Sequence, residues 1–100
     1  MKVNIQSIHF DADIKLLDFI TKKVEKAKTF YEGIDSAMVY LKLEKDSQGE
    51  NKLVEIKLTV AGHEVFAKEH SSTFEAAVDL VIDKIKAQIK KHKEKLQEKV

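Results

Sequence analysis

The segment Lys52–Val60 alternates apolar and polar side chains strictly from Val54 onward, and no other feature restricts the fold of this chain as much. Its apolar members share one face, and they are Val54, Ile56, Leu58 and Val60. A period of two residues predicts a β-strand with one buried face and one wetter face. Such a strand must pair with others and be covered on its apolar side, so we expect a sheet with a layer packed against one face.

Three further segments predict the remaining strands. Lys2–Ile8 and Ala37–Lys45 also alternate between apolar and polar side chains. Glu64–Glu69 follows the strand Lys52–Val60 after a short turn at 61–63. The composition of residues 46–51 is typical of a turn between the second and third strands.

Two segments instead repeat apolar residues every three or four positions, as the core faces of helices do. The first helix is predicted to begin near Ile14, after the acidic capping residues Asp11 and Asp13. Its predicted core residues are Leu17, Ile20, Val24, Ala27 and Tyr31.

The second helix is predicted to open at Ser71 and Ser72, where Ser72–Glu75 fits a capping box. Its apolar residues are Phe74, Val78, Val81, Ile82, Ile85, Ile89 and Leu96. The resulting order, β-α-β-β-β-α, predicts an α+β fold with two helices packed on one face of a four-stranded mixed sheet. A right-handed crossover should make the first two strands parallel, and two hairpins should add antiparallel neighbours.

Length and composition restrict the class of protein. One hundred residues, 43% of them hydrophobic, suit one domain spanning 1–100. No apolar run has the length of a signal peptide or a membrane span, so we expect a cytoplasmic protein without a membrane partner. The chain has no cysteine, its four histidines lack metal-ligand spacing and its three glycines are isolated. We therefore expect no catalytic residue, no metal, no cofactor and no small-molecule substrate.

Positive charge is concentrated at the end of the chain. Residues 84–100 contain seven lysines and two acids, whereas residues 32–83 contain five lysines and eleven acids. All eighteen basic residues are lysine, whose compact charge suits phosphate oxygens, and arginine, which reads base edges, is absent. This polarity favours a polyanion that is bound through its backbone rather than its sequence.

Helical spacing places lysines on both flanks of the core face of the second helix. In the second helix one flank carries Lys84, Lys91 and Lys95, and the other carries Lys86, Lys90 and Lys93. In the first helix Lys15, Lys22 and Lys26 form a row away from the core face, with Lys23 close by. If the helices pack side by side, these rows can merge into one basic surface.

A lysine-rich helix is also typical of an ordinary solvated surface. The compensating acids, however, lie on the hairpins and at the start of the second helix, not among its last turns. That partition favours a binding surface. Among the aromatic residues, Tyr40 is a candidate for stacking on bases.

Two stretches resemble a known family. Val39–Lys45 (VYLKLEK) and Ala76–Leu96 (AAVDLVIDKIKAQIKKHKEKL) closely resemble the ribosome hibernation-promoting factors, also called ribosome-associated inhibitor or sigma-54 modulation proteins. The opening strand around Asn4 and the order of elements resemble that family too, so the similarity covers nearly the whole chain.

The resemblance implies a short-form bacterial stationary-phase factor. Such proteins bind the small ribosomal subunit and its rRNA in the mRNA and tRNA channel, across the A and P sites. They block translation and preserve idle ribosomes. The family's basic helix residues correspond here to Lys23, Lys26, Lys84, Lys91 and Lys93. An arginine usual in the family is Ala87 here, with Lys86 beside it as a substitute.

Two alternatives stay open on the sequence alone. A general double-stranded-RNA-binding module can also combine a sheet with basic helices. A protein-interaction adaptor could dock the lysine-rich helix on an acidic partner. The first should bind duplex RNA as well as small subunits, and the second should not sediment with ribosomes.

Overall fold

The computed structural model describes residues 2–29, 33–45 and 49–98, with side chains for all of these except residues 28–29 and 92–98. Along the chain the elements are β1 (Lys2–Ile8), α1 (Ile14–Glu25), a 3₁₀ helix (Lys26–Thr29), β2 (Ile34–Leu43), β3 (Lys52–Val60), β4 (His63–Ser71) and α2 (Phe74–Glu98). The predicted order and the predicted α+β class are confirmed.

The four strands form one sheet in the order β1-β2-β3-β4. β1 pairs with β2 in parallel, and the other two pairings are antiparallel. Apolar residues therefore line up across all four strands, and one such row is Ile5, Val39, Ile56 and Ala67. This face of the sheet, which is the core side, is covered by the helices.

The core lies between that face and the two helices. α1 contributes Ile20 and Val24, and α2 contributes Val78, Val81 and Ile85, all fully buried. Phe10, in the loop after β1, stacks on Phe74 at the start of α2 with ring centroids 5.2 Å apart. That contact ties the segment before α1 to the first turn of α2.

The structure corrects the predicted bounds of β2, which begins at Ile34 and ends at Leu43. The pairing of β2 with β3 shifts register between Ile34 and Ser36. Because of this irregularity, Ile34 and Ala37 are both buried although they are three positions apart, an odd number. The bulge breaks the period of two, and that break hid the start of the strand.

The first helix is also shorter than its apolar pattern. α1 stops at Glu25 and the chain continues as a 3₁₀ helix, in which Ala27 is still buried. Spacing alone does not separate these two kinds of helix. The predicted core residue Tyr31 and part of the predicted turn 46–51 lie outside the described residues.

Both helices begin at a capping side chain. Leu16 N donates to Asp13 Oδ1 over 2.8 Å, which confirms Asp13 as the cap of α1. At α2 the cap is Thr73, whose Oγ1 accepts from Ala76 N over 3.1 Å. The predicted Ser72–Glu75 capping box is wrong by one position, because Ser71 still belongs to β4.

The turn between β3 and β4 is the tight one that the sequence predicts. Ala61 and Gly62 both have positive φ, 48° and 83°. Two such residues in succession suit the right-handed twist of a two-residue hairpin. Ala61 N also donates to Gly33 O over 3.0 Å, so the turn is fixed to the segment that precedes β2.

Truncating a side chain on the core side of α2 should lower the free energy of unfolding much more than truncating one on its exposed side. Ile85→Ala removes a fully buried side chain and should lower the free energy of unfolding by about 2–5 kcal/mol. Leu80→Ala, at a position 43% exposed on the same helix, should change it by less than about 0.5 kcal/mol. Urea denaturation followed by circular dichroism measures both, and equal losses would contradict the described packing.

The corrected cap gives a second matched pair. Thr73→Ala should cost about 0.5–2 kcal/mol because Ala76 N loses its acceptor. Ser72→Ala should leave the unfolding midpoint nearly unchanged. A larger effect of Ser72→Ala than of Thr73→Ala would contradict Thr73 as the cap and support the Ser72–Glu75 capping box.

Candidate nucleic-acid interface

The topology brings the ends of both helices to one end of the molecule. β1, β2 and β4 run in the same direction. Each helix follows one of these strands and returns along the sheet, so α1 and α2 run side by side in the same direction. Lys23, near the end of α1, contacts Asp79, near the start of α2, and the second half of α2 therefore continues past the end of α1.

Lys23 forms an ion pair that joins α1 to α2, so it is not an unpaired cation. Its Nζ lies 3.2 Å from Asp79 Oδ1 and 5.5 Å from the centroid of the Phe19 ring. The two charged side chains are 37% and 54% exposed, so both remain accessible to water. An ion pair at this exposure holds the lysine without removing it from reach of a phosphate.

One flank of α2 faces α1. Asp79 marks this side, and Lys86 and Lys90 follow it at spacings of seven and four residues, which keeps them on the same side. Both lysines are exposed, as are Lys22 and Lys26 at the end of α1. Lys23, Lys86 and Lys90 are called the inter-helix lysines below, whereas Lys22 lies on the face of α1 opposite its buried residues Ile20 and Val24.

The other flank of α2 faces β4. Lys84 Nζ lies 3.3 Å from Glu69 Oε2 on that strand, and Gln88 Nε2 donates to Phe66 O over 2.9 Å. Lys91 is exposed and lies seven residues after Lys84, on the same flank. The nine predicted lysines therefore do not form one row, because the body of α2 separates Lys84 and Lys91 from the inter-helix lysines.

The last two predicted residues, Lys93 and Lys95, lie in the helical part of α2, but their side chains are outside the described residues. Ala87, which stands where the resembled family usually has an arginine, is exposed. Its neighbour Lys86 is exposed as well, which keeps a cation at this turn of the helix.

Charge changes sign along α2. Glu75, Asp79 and Asp83 recur every four residues in its first half and are exposed. Lys86 and Lys90 continue the same side in its second half. A polyanion is therefore repelled from one end of the molecule and attracted to the other, where lysines also complement the negative end of the helix dipole.

Asp79 and Glu69 are the residues that the sequence did not single out. The accumulation of acids at the start of α2 was visible, but each pair joins residues from two different elements. Which acid meets which lysine depends on how α2 sits on its neighbours, and spacing within one helix carries no such information.

The described residues were also compared with what a metal site, a membrane-spanning helix and a small-molecule pocket require. They contain no group of three or more His, Asp or Glu side chains placed to hold a metal ion. None of the helices they form is long and apolar enough to cross a membrane. A partly open pocket of about 250 Å³ lies between the β3–β4 hairpin and α2, lined by Val60, His63, Val65, Gln88 and Ile89. It is smaller than most pockets that hold small-molecule ligands.

Sequence comparison finds one family over nearly the whole chain. Residues 3–97 match the family described as sigma 54 modulation protein / S30EA ribosomal protein. A relative named ribosome hibernation promoting factor from Pseudomonas putida is 35% identical over 97 residues, covering 97% of this chain and 91% of the relative. The protein of the same name from Escherichia coli is 32% identical and covers 98% of this chain and 99% of its own length.

Solved structures share the fold. A ribosomal subunit interface protein from Coxiella burnetii superposes with a TM-score of 0.80 at 19% identity, covering 93% of this chain and 98% of that one. The N-terminal domain of Protein Y from Thermus thermophilus gives 0.73 at 23% identity, with 91% and 94% covered. These likenesses support the arrangement of two helices on a four-stranded sheet.

Removing the carboxylate that holds Lys23 should strengthen binding to a generic polyanion. Asp79→Asn keeps the shape of the side chain and should lower stability by less than about 1 kcal/mol, because the pair is exposed. The variant should leave a heparin column at higher salt than the wild type. Asp11→Asn, which makes the same charge change at an exposed site near the start of α1, should shift elution less. Equal shifts would mean that only net charge matters.

Proposed function

This chain belongs to the family described as sigma 54 modulation protein / S30EA ribosomal protein, and from that premise we propose that it is a ribosome hibernation factor. It binds the rRNA of the small ribosomal subunit in the mRNA and tRNA channel, across the A and P sites. It inhibits translation there and preserves idle ribosomes in stationary phase. It acts in the cytoplasm, as a single domain and without catalysing a reaction.

The observation that carries the proposal is the agreement between the family match and the polarity of the helices. The match spans residues 3–97 and so includes both helices and the whole sheet. The lysines at the end of α1 and in the second half of α2 lie at one end of the molecule, where an RNA backbone could follow the inter-helix lysines. Relatives of about the same length are named for ribosome hibernation, which supports the ribosome as the partner of this basic end.

Binding of this kind needs charge and volume rather than chemistry. Lysines that neutralise phosphates release condensed counterions, which makes affinity high at low salt and weakly dependent on sequence. A folded domain fixed in the channel then excludes mRNA and tRNA by occupying their space.

The described lysines do not contribute equally. Lys22, Lys90 and Lys91 make no ion pair with any described carboxylate, whereas Lys23 and Lys84 are held by Asp79 and Glu69. We expect the three unpaired lysines to meet phosphates first. The two held lysines then exchange a carboxylate for a phosphate oxygen.

Sedimentation with purified small subunits across a salt series tests the proposal. If about six lysines engage phosphates, the wild type should lose affinity with a log–log slope of about −4 to −5. The triple variant Lys22→Gln, Lys90→Gln and Lys91→Gln removes three contacts, so its slope should fall to about −2. A wild-type slope near −1 would contradict the interface.

The control makes the same charge change at the other end of the molecule. Lys15, Lys45 and Lys52 lie at the start of α1, the end of β2 and the start of β3. Replacing these three with glutamine should leave the slope and the affinity close to those of the wild type. If both triple variants lost the same affinity for small subunits, binding would depend on net charge and not on the position of the lysines.

Competition separates the proposal from its alternatives. A hibernation factor should be displaced from small subunits by mRNA or initiator tRNA more readily than by long duplex RNA. Equal displacement by duplex RNA would instead indicate a general double-stranded-RNA-binding module. Failure to sediment with ribosomes at any salt would indicate an adaptor for an acidic protein.

A further inference from the structure

The face of the sheet opposite the helices, here called the open face, has its own chemistry. Side chains on this face lie one position out of step with the buried residues of each strand, as in Tyr40 beside Val39 and Leu41. The strand pairings arrange them in rows. One row runs Met38, Lys57, Phe66 and the next runs Tyr40, Glu55, Lys68.

Two aromatic rings belong to these rows. Phe66 is 47% exposed in the middle of β4, a high value for the ring of a strand residue. Tyr40 is half-buried on β2. From the spacing of strands and of residues along them, the two side chains start about 12 Å apart. Each ring therefore has room to receive a separate planar group.

Lysines surround the exposed ring. Lys57 lies directly across from Phe66 on β3, and Lys68 lies two residues further along β4 on the same face. Lys57 Nζ is 3.5 Å from Glu64 Oε1, but that pair is largely exposed. Lys68 makes no ion pair with a described residue. A ring with a cation beside it matches a nucleotide, which presents a flat base and a phosphate.

The charge of the open face selects among partners. Its described lysines are Lys2, Lys42, Lys57 and Lys68, and its described acids are Glu44, Glu55 and Glu64, which leaves an excess of one positive charge. A positive excess of this kind favours an anionic partner. Leu53, near the start of β3, is 2% exposed and Met38 is half-buried, so among the described residues of this face Phe66 is the large apolar side chain that is well exposed.

We propose that the open face is a second RNA-binding surface, on which Phe66 and Tyr40 stack bases of a single strand while Lys57 and Lys68 contact its phosphates. Four-stranded sheets that bind single-stranded RNA work in this way, with aromatic side chains as platforms for successive bases. A duplex would not serve, because its bases are stacked on each other and the flat sheet cannot reach between them.

This surface does not depend on the proposed role of the helices. The sheet separates the open face from α1 and α2, so the two surfaces face opposite sides of the molecule. A single copy could hold one RNA segment on the helices and another on the sheet. Loss of one activity by mutation should leave the other in place, and the two failures are therefore distinguishable.

Fluorescence anisotropy with labelled ten-nucleotide oligo(U) and oligo(A) tests the surface. Phe66→Leu keeps an apolar side chain but removes the ring, and should weaken binding about 5- to 100-fold, the usual effect of losing one stacked base. Phe66→Tyr keeps the ring and should retain affinity within about 2-fold. Neither change should shift the urea midpoint appreciably, because residue 66 is exposed.

Amide and aromatic NMR shifts locate the oligonucleotide. Binding should perturb Tyr40, Lys57, Phe66 and Lys68, and the triple variant Lys22→Gln, Lys90→Gln and Lys91→Gln should show the same perturbations. Small-subunit sedimentation of Phe66→Leu should remain dominated by the helices. The proposal is overturned if the shifts are confined to α1 and α2, or if Phe66→Leu binds the oligonucleotides as well as Phe66→Tyr does.

Discussion

The burial of a single sheet face beneath two helices is the constraint on which the rest of this structure depends. The alternating strands leave one continuous apolar face, with Val39 and Ile56 at its centre, and neither helix alone covers it. Because both helices must pack on that face, they lie side by side. Because each follows a strand of the same direction, both end at the same side of the sheet. The clustering of lysines thus follows from the packing of residues that carry no charge.

Much of this architecture could be predicted from the sequence, since it is encoded in local periods. The bounds of β3 and the starts of β1 and α1 follow from alternation and from Asp13 as a cap. The start of β2 could not be predicted, because the bulge near Asp35 shifts the buried positions out of phase. The cap of α2 moved to Thr73 because the preceding strand runs further than its own composition indicates.

The sequence predicts which lysines could form the candidate interface, but not which neighbouring elements they contact. Helical spacing predicts the side of its own helix on which each lysine lies, but what that side contacts depends on how the helix packs. Asp79 shows that one flank of α2 meets α1, and Glu69 shows that the other meets β4. Both acids come into contact with lysines only through tertiary packing. The exposed ring of Phe66 was likewise visible only as one residue in a predicted strand, with no sign that nothing would cover it.

Neighbouring residues of β4 serve different sides of the molecule. Ala67 is sealed in the interior, while Phe66 and Lys68 on either side of it look outward from the sheet. Evolution can therefore revise the outward chemistry of this strand codon by codon while the adjoining positions keep the interior intact. A homologue could gain, lose or change a ligand of this surface while keeping the same fold. Family members with a shared fold could therefore differ in the RNA that they bind there.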